Sequence, residues 1–322
     1  MPVLERVDPE IRAVVEQNVP LDPSDLTKAR ETYEQRQLAL AATERPDPHV
    51  ERLDLTAPGL DANPAVQLRL FRPAGSRGTL PCVYWIPGGG YILPGDGYAV
   101  EHRWDDRYCE GLVLGVGCAV VSVAWRAAPE HPFPACADDC YAGLRHIITS
   151  AQEIGIDPSR VVIAGGSSGG GSAASLALRV RDDGEFTVAH QLLVYPMLDD
   201  TGTTPSSHQV TDPLLWNRDL NELAWSSYLG DAYGTDDVTP YAAPTRMNDL
   251  TGSVPASILT AELDLFRDED IAYALRLMAA EVPTELHVYP GAPHGFFHYA
   301  PEAGVSQRFF NDRNAILKRV FG

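Results

Sequence analysis

Apolar positions beyond residue 49 gather into eight short runs that read as strands: Val50–Thr56, Val66–Phe71, Cys82–Ile86, Ala119–Val123, Val161–Ala164, Gln191–Tyr195, Ala256–Thr260 and Glu285–Tyr289. Several runs are continuously apolar, the pattern of strands covered on both faces. The first two alternate more and are expected at a sheet edge. Helical crossovers are predicted at Tyr98–Leu114, Pro134–Ile154, Gly169–Val180 and Glu269–Ala280, each between consecutive strands, so the fold class is α/β with a doubly wound, mostly parallel sheet. Residues 1–45 precede the first strand and read as helical, with Pro20–Asp25 as a break and a helix from Leu26 to Ala42. The interval Pro196–Pro255 holds Leu214, Leu215, Trp216, Leu220, Trp225, Tyr228 and Leu229, too many large side chains for a bare loop, which predicts an inserted helical cap. The expected organisation is N-terminal cap helices over 1–45 and a catalytic domain over 46–322 with its cap insertion at about 198–240.

Composition narrows the class without changing this picture. With 44% hydrophobic and 21% charged residues the chain can bury a large core. A net charge of −19 opposes phosphate backbones, so no nucleic-acid partner is expected. No apolar run approaches the ~20 residues of a membrane span, and Met1–Pro20 lacks a signal-peptide core, which predicts a cytoplasmic protein without a membrane partner. Cys82, Cys109, Cys118, Cys136 and Cys140 lack the paired spacing of zinc sites and are expected to be reduced thiols.

The candidate chemistry starts at Val161–Gly171, where a strand runs directly into Gly165-Gly166-Ser167-Ser168-Gly169 and then a helix of small residues. That is a nucleophile elbow: a sharp strand-to-helix turn that exposes a serine and leaves no room for side chains two positions to either side. A serine hydroxyl needs a base held by a carboxylate. In open α/β sheets such groups sit past the carboxyl ends of strands. His294, directly after the last strand, meets that condition, with His287 and His298 as alternatives. Of the carboxylates after the seventh strand, Asp264 is the expected acid, ahead of Glu262, Asp268, and Asp199 or Asp200 after the sixth. Gly88, Gly89 and Gly90 follow the third strand and, with the amide of Ser168, supply donors for a tetrahedral oxyanion.

These residues resemble the hormone-sensitive lipase family of esterases, marked by His-Gly-Gly-Gly, Gly-Asp-Ser-Ala-Gly-Gly, Asp-Pro-Leu-Arg-Asp and His-Gly-Phe. Trp125-Arg126-Ala127-Ala128-Pro129-Glu130 is similar to the family's Tyr-Arg-Leu-Ala-Pro-Glu. Gly155–Arg160, Tyr241–Pro244 and Ala272–Leu277 look most like its actinobacterial heroin-esterase-like branch. The resemblance implies an α/β-hydrolase fold and a serine carboxylesterase acting on short-chain acyl esters, small-molecule substrates, without cofactor or metal. It assigns Ser167, Asp264 and His294 to the triad and the amides of Gly89, Gly90 and Ser168 to the oxyanion hole. It also implies a homodimer, with Thr284–Tyr289 as an edge strand to be covered. Pro87 replaces the family's His, Gly166 its frequent Asp and Ser168 its usual Ala, so the glycine loop is expected to be less ordered or held by something else. The alternatives are a catalytically silent small-ligand receptor of the same fold, or an amidase or lactonase with the same triad.

Overall fold

The computed structural model describes residues 2–43, 45–93 and 105–322. Three helices come first: α1 (Val3–Arg6), α2 (Pro9–Val15) and α3 (Leu26–Thr43). Asp8 starts α2 by accepting the Glu10 amide at 2.9 Å, with Pro9 in the first helical position, where its missing N–H is no loss. The break before α3 is an Asx turn in which Asp22 accepts from the Ser24 amide at 3.0 Å and its hydroxyl at 2.6 Å.

All eight strands form, and they lie in one sheet: β1 (Val50–Ala57), β2 (Val66–Pro73), β3 (Leu80–Ile86), β4 (Ala119–Val123), β5 (Ile156–Gly166), β6 (His190–Val194), β7 (Ala256–Leu263) and β8 (Thr284–Pro293). Their order is β1-β2-β4-β3-β5-β6-β7-β8, and every pair from β4 to β8 is parallel. β2 is not an edge strand: it pairs antiparallel with both β1 and β4. Its alternation has another cause. Val66, Leu68 and Leu70 are buried on one face, while Arg69 on the other meets Asp106 of α4 (Asp106–Val116) at 3.0 Å, where Arg52 of β1 also pairs with Asp106 and Glu110 at 3.0 and 2.8 Å. The polar face is covered by an ion-paired helix. The crossover expected to start at Tyr98 is helical from Asp106; residues 98–104 lie outside the described residues.

Helices α5 (Ala135–Thr149) and α6 (Ala151–Ile154) connect β4 to β5, α7 (Ser168–Asp183) connects β5 to β6, and α8 (Pro205–Gln209) and α9 (Arg218–Leu229) lie between β6 and β7. The segment after α9 has only 3₁₀ turns and is tied back to the body, with Arg246 gripping Asp200 at 2.7 Å through two nitrogens and Arg181 donating to the Asp249 carbonyl at 2.9 Å. Helical character in this insertion is confined to 205–229. The chain closes with α10 (Arg267–Ala279) between β7 and β8, then α11 (Phe296–Tyr299) and α12 (Gly304–Phe321). No helix among the described residues is long and apolar enough to cross a membrane.

The winding direction reverses between β3 and β5: the chain leaves β3 for β4 on one side and returns to β5 on the other. Loops after β3 and β5 therefore part around a crevice at the carboxyl ends of the strands, where ligands bind in such sheets.

His190 on β6 is buried, with Nε2 3.0 Å from the Ser257 hydroxyl on β7. Burial lowers its pKa from 6.5 to about 4. The unfolded chain takes up this proton as pH falls through 6.5 and the folded chain does not, so the stability it contributes is lost between 6.5 and about 4. His190→Gln removes that titration. Urea midpoints measured from pH 7 to 4.5 should show the variant gaining on the wild type as pH falls; a constant difference would refute this role.

Candidate active site

Ser167 is the single residue between β5 and α7, and it stands at φ 59°, ψ −126°. A Cβ on Gly165 would collide with the Gly169 carbonyl, and one on Gly169 with the Ile86 carbonyl, so both glycines are dictated by close backbone approach. Gly170 and Gly171 are equally confined, against Pro196 and Met197. The turn brings the Ser167 side chain, 8% exposed, to the floor of the crevice.

The sheet register delivers the partners. Leu263, the last residue of β7, pairs with Pro293, the last of β8, so Asp264 and His294 leave the sheet side by side. His294 Nδ1 lies 2.6 Å from Asp264 Oδ2, and its Nε2 lies 3.0 Å from Ser167 Oγ. Asp264 is fully buried, and its other oxygen accepts the Phe266 amide at 3.1 Å. Tyr195 and Phe266 flank the imidazole at centroid distances of 4.5 and 5.2 Å. The alternatives are engaged elsewhere. Glu262 pairs with Arg6 at 2.6 Å and accepts the Gly291 amide at 2.8 Å; Asp268 accepts the Ser206 amide at 2.8 Å. Asp199 accepts from Thr201, and Asp200 is held by Arg246. His287 pairs with Glu285 at 2.7 Å, while His298 is pushed down to about 3 by burial and stays neutral in the cavity wall.

Gly88, Gly89 and Gly90 reach the serine from the end of β3. A Cβ on Gly88 would stand 2.9 Å from the Gly166 carbonyl and 3.2 Å from Ser167 Cβ, which measures how closely the loops meet. Gly89 (φ 132°) and Gly90 (φ 58°) take conformations that side chains disfavour, and the Gly89 carbonyl accepts the Leu93 amide at 2.8 Å. The amides of Gly89, Gly90 and Ser168 have no acceptor among the described residues.

Above this floor lies a cavity of about 610 Å³. Its walls come from the loops just described, from Val14, Leu21 and Tyr33 of the N-terminal segment, and from Leu214, Leu215, Trp216 and Leu220 before and within α9. Trp216 presses its six-membered ring on Gly90, which leaves no space for a Cβ there.

Comparison with known proteins shows the family of the fold. The sequence profile of the alpha/beta hydrolase fold matches residues 83–298. The chain belongs to the α/β-hydrolase fold family. Carboxylesterase NlhH of Mycobacterium tuberculosis is 36% identical over 272 residues, 84% of this chain and 83% of that protein. Among solved structures, a bacterial heroin esterase superposes with a TM-score of 0.92 at 39% identity over 99% of both chains. Esterase LipW from Mycobacterium marinum superposes with a TM-score of 0.87 at 34% identity over 99% of this chain and 97% of that one. The resemblance to the hormone-sensitive lipase branch therefore stands.

This α/β hydrolase holds its glycine loop without the family's histidine. The Trp125 indole, buried, donates to the Pro87 carbonyl at 3.0 Å and also packs near Gly89. Beyond the glycines, Tyr91 stacks on Tyr228 at 3.9 Å and its carbonyl accepts the Ala128 amide at 2.9 Å. Arg30 of α3 completes the tether: it donates to the Ile92 carbonyl at 2.7 Å and the Ala128 carbonyl at 2.6 Å while paired with Glu130, whose pKa it draws down to about 2. Gly166 is not sterically required, since a Cβ there would meet Trp85 at 3.5 Å and Tyr195 at 3.6 Å, ordinary contact. Trp85 itself is fixed by its indole N–H to Asp105 at 2.8 Å. Sequence reasoning missed Trp125 and Arg30. The first had a signal, a tryptophan where the related motif has tyrosine; the second, on a helix far from any motif, had none.

If the Trp125 indole sets the loop, Trp125→Phe removes the donor on Pro87 seen among the described residues, with little change in volume. Ester turnover should fall about tenfold or more in kcat with KM little changed, as for a misplaced oxyanion donor, whose outright loss costs ~10²–10³. Unchanged kcat in a variant with wild-type thermal stability would rule the brace out.

Proposed function

We propose that this hydrolase is a serine carboxylesterase that cleaves short-chain acyl esters through an acyl-enzyme intermediate. The observation that carries the reading is the unbroken relay from Asp264 through His294 to Ser167, with contacts of 2.6 and 3.0 Å. Ser167 Oγ attacks the ester carbonyl as His294 Nε2 takes its proton, and Asp264 holds the imidazole at Nδ1 and balances the positive charge that forms. The carbonyl oxygen, now an anion, is met by the amides of Gly89, Gly90 and Ser168. Collapse of the tetrahedral intermediate breaks the bond to the alkoxy oxygen, which leaves with the proton from His294. Water then repeats the attack on the acyl-enzyme, gives its proton to His294, and releases the carboxylic acid and the serine. The names of the related carboxylesterases support the ester bond as the target.

The departures at Pro87 and Gly166 motivated a silent-receptor reading. The Trp125 brace and the free loop amides favour catalysis instead. The short-acyl preference is supported by the bulk of Trp216 over Gly90 and by Tyr195 beside the imidazole, which narrow the cavity next to the serine.

With p-nitrophenyl butyrate as substrate, Ser167→Ala should lose ~10⁶-fold in kcat and Asp264→Asn roughly 10⁴-fold, with the fold intact. Retention of more than about 1% of turnover by Ser167→Ala, or a larger loss in Glu262→Gln than in Asp264→Asn, would overturn the assignment. Across p-nitrophenyl esters, kcat/KM should peak at about two to six acyl carbons. A decanoyl ester that outperforms the butyryl ester would overturn the short-chain preference.

A further inference from the structure

The cavity contains a charge that the proposed esterase mechanism does not use. Arg36 of α3 is half-buried in the cavity wall beside Asn18 and Tyr299, and it is the only Lys or Arg in that wall among the described residues. No carboxylate among the described residues pairs with it, and neither Glu31 nor Glu34 of the same helix does. Arg30, about two turns earlier on α3, shows the contrast: its guanidinium makes a two-pronged pair with Glu130 at 2.7 and 2.8 Å.

Arg36 shares its cavity with Ser167 and His294. Tyr299 is raised by its burial, and the Arg36 charge beside it works against that rise. The Tyr299 ring lies 3.5 Å from the place a Cβ would occupy on Gly295, the residue next to His294. Arg36, Tyr299 and His294 line the same cavity. The other ionisable groups in the wall make no ion pair with Arg36 among the described residues. His298 is kept uncharged by burial, and the Asp105 carboxylate, which accepts from the Trp85 indole at 2.8 Å, makes no ion pair with Arg36. The chain as a whole carries a charge of −19, so a negative ligand finds no general attraction here and needs a local cation.

We infer that Arg36 binds a carboxylate carried by the substrate, so that the enzyme favours esters bearing one free carboxylate a few carbons from the scissile bond. A guanidinium fork matches the two oxygens of a carboxylate, and an apolar cavity with one such group selects by charge as well as by size. The inference rests on the esterase reading and adds the class of ester.

Two matched pairs of substrates test it, one for each side of the ester bond. Mono-p-nitrophenyl adipate against p-nitrophenyl hexanoate places the carboxylate on the acyl arm; 5-butyryloxypentanoate against pentyl butyrate places it on the alcohol arm. In at least one pair, Arg36→Gln should lower the ratio of kcat/KM for the anionic over the neutral ester by about tenfold or more, mainly through KM. Arg36→Lys should restore part of it, and added salt should weaken the wild-type preference. An unchanged ratio in both pairs, with the neutral esters still hydrolysed, would overturn the role of Arg36. Failure of the wild type to hydrolyse any of the four esters would instead overturn the esterase reading beneath it.

Discussion

The reversal of the chain at Ser167 is the constraint on which the site depends. A non-glycine residue at φ 59° stores strain of about 1–3 kcal/mol, and it persists only where the surroundings over-determine it. Here they do so through the backbone alone. The Ser167 amide donates to the Val194 carbonyl at 3.0 Å, and its carbonyl accepts from both Gly171 and Met197 at 3.0 Å. The serine is thereby stitched to the end of β6 and to the segment that follows it. The absent side chains at 165 and 169 let the elbow close on itself and against the end of β3, which carries the glycine loop.

The site's polarity follows from how deeply its supports are buried. Behind Asp264, Glu269 accepts the amides of Leu198 and Asp199 at 2.7 and 3.1 Å, and Asp270 accepts from Thr260 at 2.5 Å. Burial holds both carboxyl groups well above their ordinary range. Burial thus disfavours their charged forms beside Asp264, while their hydrogen bonds hold the start of the insertion and the end of β7. Two carboxyls thus serve as structural hydrogen-bonding groups close to one that orients a histidine.

Much of this was legible in the residues. Runs of buried aliphatic side chains located all eight strands, because parallel strands covered on both faces leave little choice of residue, and glycine spacing located the elbow. The order Ser167, Asp264, His294 was readable since each lies just past a strand end. Legibility failed where contacts join distant segments. The alternation in β2 has the pattern of an edge strand because sequence cannot show that Asp106 arrives to cover its polar face. The run Glu285–Tyr289 stops short of the end of β8, which continues to pair Pro293 with Leu263 through a register shift that only the neighbouring strand explains. The large side chains that suggest a helical insertion, Leu214 to Leu229, lie before or within α9, and the stretch after Leu229 is turns fastened by Arg246.

The cavity walls differ from its floor in one further respect. The floor is set by loops at the ends of the sheet strands, whereas much of the wall comes from two segments, around 14–39 and 213–220, that contribute no strand. A substitution in either wall changes the shape or charge that a ligand meets without disturbing strand register or the elbow. Evolution can therefore retune ligand preference in this scaffold by drift in two peripheral stretches, with the reacting atoms held constant, which makes divergence between relatives of equal catalytic competence easy.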